Sequence, residues 1–247
     1  MILRRLTEHV KAQNWFAVAI DFGIVVVGVF IGIQVANWNE ARGDDRRLDQ
    51  QLSSLGDELE GNLLRIGEYR KFAADQIAAI NELRAVFSGD PTTADTDRID
   101  ALLFLALRIY HLQPELAAYE ELAESGGLRR LSGTPLRQAL AQWESDLGWV
   151  GRIDRDALAH RDDVVLPQFV EGASLAAAAE SDPQQTSNGF ARSRFRNDVR
   201  VLAQSRELEN MLTLRFVLEA QSLDYSARLE ASTRALIAAL KEREQAR

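Results

Sequence analysis

The residues with chemistry to offer are few and scattered. The three histidines, His9, His111 and His160, form no H-x-x-x-H or E-x-x-H pair, the spacings that set two metal ligands on one helical face. There is no cysteine, which excludes disulfides and thiolate chemistry and, with so few histidines, argues against a zinc site. No G-x-S-x-G elbow, phosphate-cradling glycine loop or dinucleotide fingerprint occurs. Asp95, Asp97 and Asp100 alternate like calcium ligands, but the fixed glycine and closing glutamate of such a loop are absent. Capping and favourable charge at a helix N-terminus account for these acids better. Tyr110, Trp143, Trp149 and Tyr225 are spaced either to line a pocket between helices or, more simply, to fill a helical core. The expectation is a protein that is not an enzyme, with no catalytic, cofactor-binding or metal-ligating residues.

One carboxylate stands apart. Asp21 lies within WFAVAIDFGIVVVGVFIGIQVANW, residues 15–38, and over residues 16–35 only Gln34 is comparably polar. About 20 apolar residues at ~1.5 Å each span about 30 Å, the thickness of a bilayer's hydrocarbon core. Trp15 and Trp38 bracket the run as membrane-interface anchors. The stretch is predicted to be a transmembrane helix, kept as a signal-anchor because no small-x-small cleavage pair follows it. At ~100° per residue, Asp21, Val25, Gly28, Gly32, Val35 and Asn39 fall on one stripe. The stripe joins a carboxylate that needs a partner in lipid to a G-x-x-x-G surface on which helices approach closely. It is predicted to be a helix–helix interface in the membrane.

The arrangement Asp21-x6-Gly28-x5-Gln34-x2-Asn37-Trp38-Asn39-Glu40 resembles a family of uncharacterised bacterial single-pass membrane proteins. That family has an acid, a mid-helix glycine and a Q-x-N-N-W-N-E-like exit from the membrane; here Ala36 replaces the first Asn, and Asp21 the usual Glu. A looser match runs from Tyr119 through Ser125-Gly126-Gly127-Leu128 to Leu136-Arg137-Gln138-Ala139-Leu140, similar to the family's segment in which a helix breaks and restarts. The resemblance implies a membrane-anchored helical protein and no activity.

Around these features the chain divides into an N-terminal segment 1–14, the membrane helix 15–38 and a domain 39–247. Residues 2–14 put Ile2, Leu3, Leu6 and Val10 on one side, as a short amphipathic helix or simply a charged cap. Arg4, Arg5 and Lys11 before the span are matched in number by Arg42, Arg46 and Arg47 after it. The first flank is short and carries the α-amino group as well. The expected orientation is N-terminus in the cytoplasm of a bacterial inner membrane and domain 39–247 outside.

The chain's net charge is −8, and its acidic surplus lies beyond Trp38. Nucleic acid is therefore a poor partner. After a polar junction at residues 41–47, apolar residues recur every three or four positions from Leu48 to Phe87, a long bundle or coiled-coil helix whose seam is interrupted at Asn62, Tyr69 and Arg70. Ser88-Gly89-Asp90-Pro91 breaks it. Further helices are predicted to about His111, from Thr134-Pro135 to a stop or kink at Pro167, and over about 191–245, with residues 180–189 the most loop-like stretch. The last carries Phe195, Val199, Leu202, Leu208, Leu212, Phe216, Leu223, Leu229, Leu236 and Leu240 as its apolar residues. No strand pattern competes. The fold class is all-α: an N-terminal transmembrane helix, then a long-helix, four-helix-like bundle with a helical insertion near 97–131.

Two functions fit. The first is a membrane-anchored interaction or scaffold protein that assembles with a second copy or a membrane-protein partner. The alternative is an extracytoplasmic ligand-sensing bundle that signals through another protein.

Overall fold

A computed structural model describes residues 15–246, without the side chains of residues 15–18, 183 and 184. Segment 1–14 and the anchoring role of Trp15 thus lie outside the described residues. The fold is all-α, with no strand among the described residues. A long helix α1 (Trp15–Ser88) is followed by α2 (Thr96–Leu107), α3 (Ala117–Glu124), α4 (Gly127–Arg130) and α5 (Pro135–His160). A π-helical turn (Arg161–Val165) leads into α6 (Leu166–Gly172), then come α7 (Leu175–Glu180), α8 (Pro183–Ser187), α9 (Val199–Ala203) and α10 (Arg206–Gln245). The chain forms two compact units, Met1–Gln51 and Leu52–Arg247.

In the first unit, the apolar part of α1 is long and apolar enough to cross a membrane, and none of its most apolar window is buried by this chain. Residues 41–47 are helical, not a junction. Gly43 is the one poor helix former there and costs about 1 kcal/mol. Ala, Arg and Asp around it tolerate a helix, and Arg46 Nε donates to the Arg42 carbonyl at 3.2 Å.

The second unit is organised by a seven-residue repeat. In α1, Leu52, Leu55, Leu59, Asn62, Ile66, Tyr69, Ala73, Gln76, Ile80 and Leu83 are all buried and alternate at spacings of three and four. The polar residues that interrupt the leucines do not interrupt the seam; they belong to it. The same spacing carries α10 through Leu208, Leu212, Arg215, Glu219, Ser222, Ser226, Leu229, Thr233 and Leu236, again all buried. Phe216 and Leu223, among the apolar residues of that helix, are only partly buried. The two helices run antiparallel: Glu60 pairs with Lys241, Arg70 with Glu230, and Arg215 Nη2 donates to Gln76 Oε1.

Helix ends follow their capping chemistry. Asp95 accepts from Asp97 N–H and starts α2; Thr134 accepts from Arg137 N–H ahead of Pro135 and starts α5. Asp100, grouped above with the capping acids, is instead buried and accepts from Asn197 Nδ2 at 2.6 Å. α2 stops at Leu107, short of His111. The last long helix begins at Arg206, not near 191, because Ser205 caps it through Leu208 N–H and Asp198 separately caps α9. Residues 183–187 make a short helix inside the stretch expected as loop. At Pro167 the chain neither stops nor leaves the helix. The proline ring lacks a donor and crowds the carbonyl four residues back, and the wider π turn at Arg161–Val165 lets the helix pass on to Gly172.

Gly126 has φ 81°, the left-handed conformation that ends α3. Its neighbour Gly127 is required for space: a Cβ there would stand 2.4 Å from Leu122 Cδ1 and 3.0 Å from the Leu122 carbonyl oxygen. Leu122 is fully buried, so it has little room to yield. Gly127→Ala is expected to destabilise the bundle by about 1–3 kcal/mol, read as a lower thermal midpoint in detergent. Gly148→Ala, at an exposed helical position with open space around it, is the control expected to hold or raise the midpoint, because Ala is the better helix former.

Candidate functional site

The polar positions of the repeat build one connected site. Asn62, Tyr69 and Gln76 occupy the same position in successive heptads of α1, and each serves a stretch of chain that makes no backbone helix of its own. The Asn62 side chain donates to the Glu115 carbonyl (2.7 Å) and accepts from Glu115 N–H (2.8 Å). Gln76 Nε2 donates to the carbonyls of Leu105 (2.7 Å) and Arg108 (2.6 Å). Tyr69 Oη donates to Asp154 Oδ1 (2.6 Å), whose other oxygen accepts from Leu112 N–H (3.1 Å). Glu58, one position off the seam, accepts from Ala118 and Tyr119 N–H and so caps α3, which has no side-chain cap of its own. Residues 108–116 are thus carried across the bundle by side chains that satisfy their partly buried backbone groups.

At the centre lies a buried ion pair. Arg215 (2% exposed) bonds Glu219 (5% exposed) at 2.7 Å, and its Nη2 also donates to the Arg108 carbonyl (2.8 Å) and Gln76 Oε1 (3.2 Å). Arg215 Nε and Nη1 and His160 Nε2 are buried without a hydrogen-bond partner among the described residues. Tyr69, Gln76, Asp154, Arg215, Glu219 and Ser222 line a cavity of about 10 Å³, room for roughly one water molecule.

Burial dominates the protonation of this site. It raises the Glu219 carboxyl against the opposing pull of Arg215. It raises Asp154 against the hydrogen bonds from Tyr69 and Leu112. Tyr69 is held far above an ordinary phenol by burial and by neighbouring Asp154, and His160 is lowered by burial and by the Arg215 cation.

A carboxyl raised in the folded state binds more protons there than when unfolded. Its stabilising contribution is full below the unfolded value and is lost as pH rises through the folded one. Glu219→Gln removes that titration while keeping an acceptor for Arg215. On lowering the pH from 7 toward 4, the native chain is therefore expected to gain stability relative to Glu219→Gln. Parallel thermal melts across this range measure the difference; a difference independent of pH would mean that Glu219 is not raised.

The stripe expected as a helix–helix interface is a separate place. Asp21, Val25, Gly28, Gly32, Val35 and Asn39 all lie on α1 and are exposed, and a Cβ on Gly28 or Gly32 would meet no atom within 4 Å. Trp38 is exposed, with the Arg42 guanidinium 3.8 Å over its ring. Of the aromatic residues with pocket-like spacing, Trp143 is core, edge-on to Tyr119 at 5.2 Å. Trp149 stacks on Tyr225 at the surface, and Tyr110 packs beside Phe72. Tyr110 lines the small central cavity, which Trp143, Trp149 and Tyr225 do not reach. No group of three or more His, Cys, Asp or Glu suited to hold a metal ion occurs among the described residues.

Sequence reasoning missed Gln76, Asp154, Arg215 and Glu219. For Gln76, Arg215 and Glu219 the signal was present: an unbroken alternation of three and four continues through them, and only a reading that insisted on apolar residues skipped them; Asp154, beside the buried Ile153, lies off that pattern.

A family of unknown function (DUF6090) matches the chain over residues 21–146. The matched span covers most of the exposed apolar helix, the heptad-spaced half of α1 and the bridged segment 108–116. No curated protein and no solved structure matches.

Proposed function

We propose, for a chain that belongs to this family of unknown function, the role of a membrane-anchored helical interaction or scaffold protein that assembles through its membrane stripe and long helices. One observation carries the reading. Phe22, Ile24, Val25, Val29, Phe30 and Ile31 are each at least 55% exposed on one continuous helix. A surface of that kind is unstable in water and calls for lipid or another helix. Trp38 and Arg42 at its end suit the headgroup layer, the N-terminus staying in the cytoplasm of a bacterial inner membrane and domain 39–247 lying outside. The stripe from Asp21 to Asn39 supplies the packing surface, with Gly28 and Gly32 open to a partner's backbone.

The test is purification of the intact chain from native membranes in mild detergent, with mass and composition read on the complex. An oligomer or a stoichiometric partner is expected. Gly28→Leu is expected to lower the associated fraction severalfold, whereas a purely monomeric, partner-free chain would end the scaffold reading. A phosphatase fused after residue 247 should be active outside the cytoplasm; a stable but inactive fusion would reverse the orientation.

A ligand-sensing bundle is the second reading, favoured by the two unpartnered N–H groups of Arg215 beside a cavity. A cavity for about one water must open before anything larger enters, which places this reading behind the first.

A further inference from the structure

The second unit carries two unfilled surfaces that complement each other. One is a cleft of about 290 Å³ between α6, α9 and the start of α10. Phe169, Leu202, Leu208 and Met211 are buried at its floor, and Glu171 and Glu207 are exposed at its edge. Arg206, 3.8 Å from Glu207, is itself mostly exposed and neutralises that acid only weakly.

The other surface is the non-helical stretch 188–198, which holds Phe195 at 58% exposure and Phe190 at 42%. Arginines alternate with them. Arg194 lies over the Phe195 ring at 4.7 Å, and Arg192 and Arg196 reach Glu180 at 3.5 and 3.0 Å. In a chain of net charge −8, this is a local basic and aromatic knob. Phe195 does not line the cleft of its own chain.

We infer that the occupant of this cleft is Phe195 of a second copy of the chain, with Arg194 meeting Glu171 and Glu207. The inference rests on the self-assembling scaffold reading and assigns it a contact outside the membrane. A phenyl ring is small enough for a cleft of this volume and buries about 150–250 Å² when enclosed. The floor is apolar and the edge acidic, matching an aromatic side chain flanked by cations. A two-fold axis between the copies would make both contacts at once, each copy giving one ring and one cleft. Two such contacts are modest by the standard of a stable dimer. Copies confined to one membrane need less, because tethering raises their effective concentration.

The absence of cysteine makes a clean test available. Copies carrying Phe195→Cys and differently tagged copies carrying Glu171→Cys are expressed together and treated in membranes with a short bis-maleimide. A mixed-tag product is expected, and none when Leu64→Cys replaces the cleft partner. Glu171→Lys with Glu207→Lys in one copy should reduce association of the second units at least tenfold, and Arg194→Glu in the other should restore it. Should the lysine pair lower the thermal midpoint, Phe195→Ser at an exposed site serves as the folding-neutral variant, with the same loss expected. An oligomer that persists in detergent without the mixed product would overturn this contact and leave the scaffold reading standing. A monomer free of partners would overturn both. Phe195→Cys joined to a different protein, or a cleft filled by a small molecule that blocks cross-linking, would overturn the second copy as occupant.

Discussion

Replacing Arg215 with methionine is expected to cost about 3–5 kcal/mol of folding stability. The guanidinium is fully enclosed and serves the Glu219 carboxylate, the Gln76 side-chain oxygen and the Arg108 carbonyl together. Methionine fills much of the volume but leaves a buried carboxylate without its cation and the Gln76 side-chain oxygen without its donor, while the Arg108 carbonyl keeps only the bond from Gln76 Nε2; each unsatisfied group carries its own desolvation penalty. For a bundle of this size the loss corresponds to roughly 6–20 °C in thermal midpoint. Arg215→Met combined with Glu219→Leu should recover most of it, since removing both charges eliminates the desolvation that one alone leaves behind. Thermal unfolding of wild type, both single variants and the double variant in detergent gives the coupling directly. A loss under about 1 kcal/mol for Arg215→Met would show that water reaches the ion pair and that it does not hold the bundle together.

The second large effect concerns the exposed apolar half of α1. Val26→Arg together with Phe30→Arg places two cations in the centre of the apolar run. At about 2.5–3.5 kcal/mol each on insertion scales, the pair opposes membrane entry by roughly 5–7 kcal/mol. The variant is expected to leave the carbonate-resistant membrane fraction, appearing as soluble, aggregated or degraded chain. Leu64→Arg, at an exposed position of the second unit, should remain with the membrane like the native protein. If the double variant still resists carbonate extraction, the apolar half of α1 is not what holds the protein there, and the scaffold reading loses its anchor.

The pattern behind the first prediction recurs along the unit. Polar groups at one heptad position of α1 reach residues 108–116, and Arg215 reaches the same stretch from α10. A non-helical segment inside a helical bundle exposes backbone donors and acceptors that no helix satisfies. Asn62, Gln76, Asp154 and Arg215 satisfy them from neighbouring helices. Asn62, Gln76 and Asp154 are thus accounted for by the chain they support.

What the sequence determines by itself is whatever depends on neighbours in the chain. The apolar run of residues 16–35, the breaks at Pro91 and Gly126, and the caps Asp95 and Thr134 are legible because hydrophobic length, ring constraint and side-chain capping act within a few residues. The all-α class follows from the three-and-four spacing in the same way. Tertiary structure decides which of several plausible faces is buried. Phe216 and Leu223 were better hydrophobic candidates than Arg215 and Ser222, yet the latter are buried, because the face is set by register against α1 and α5 rather than by the apolar content of α10 alone. Asp100 resembled its capping neighbours until Asn197, distant in sequence, supplied a donor inside the core. Pro167 reads as a helix end or kink, and the helix goes on past it by way of a π turn. For Arg215 and Asp100 the deciding partner lies far along the chain, and burial turns a locally unfavourable choice into the stable one when that partner satisfies it.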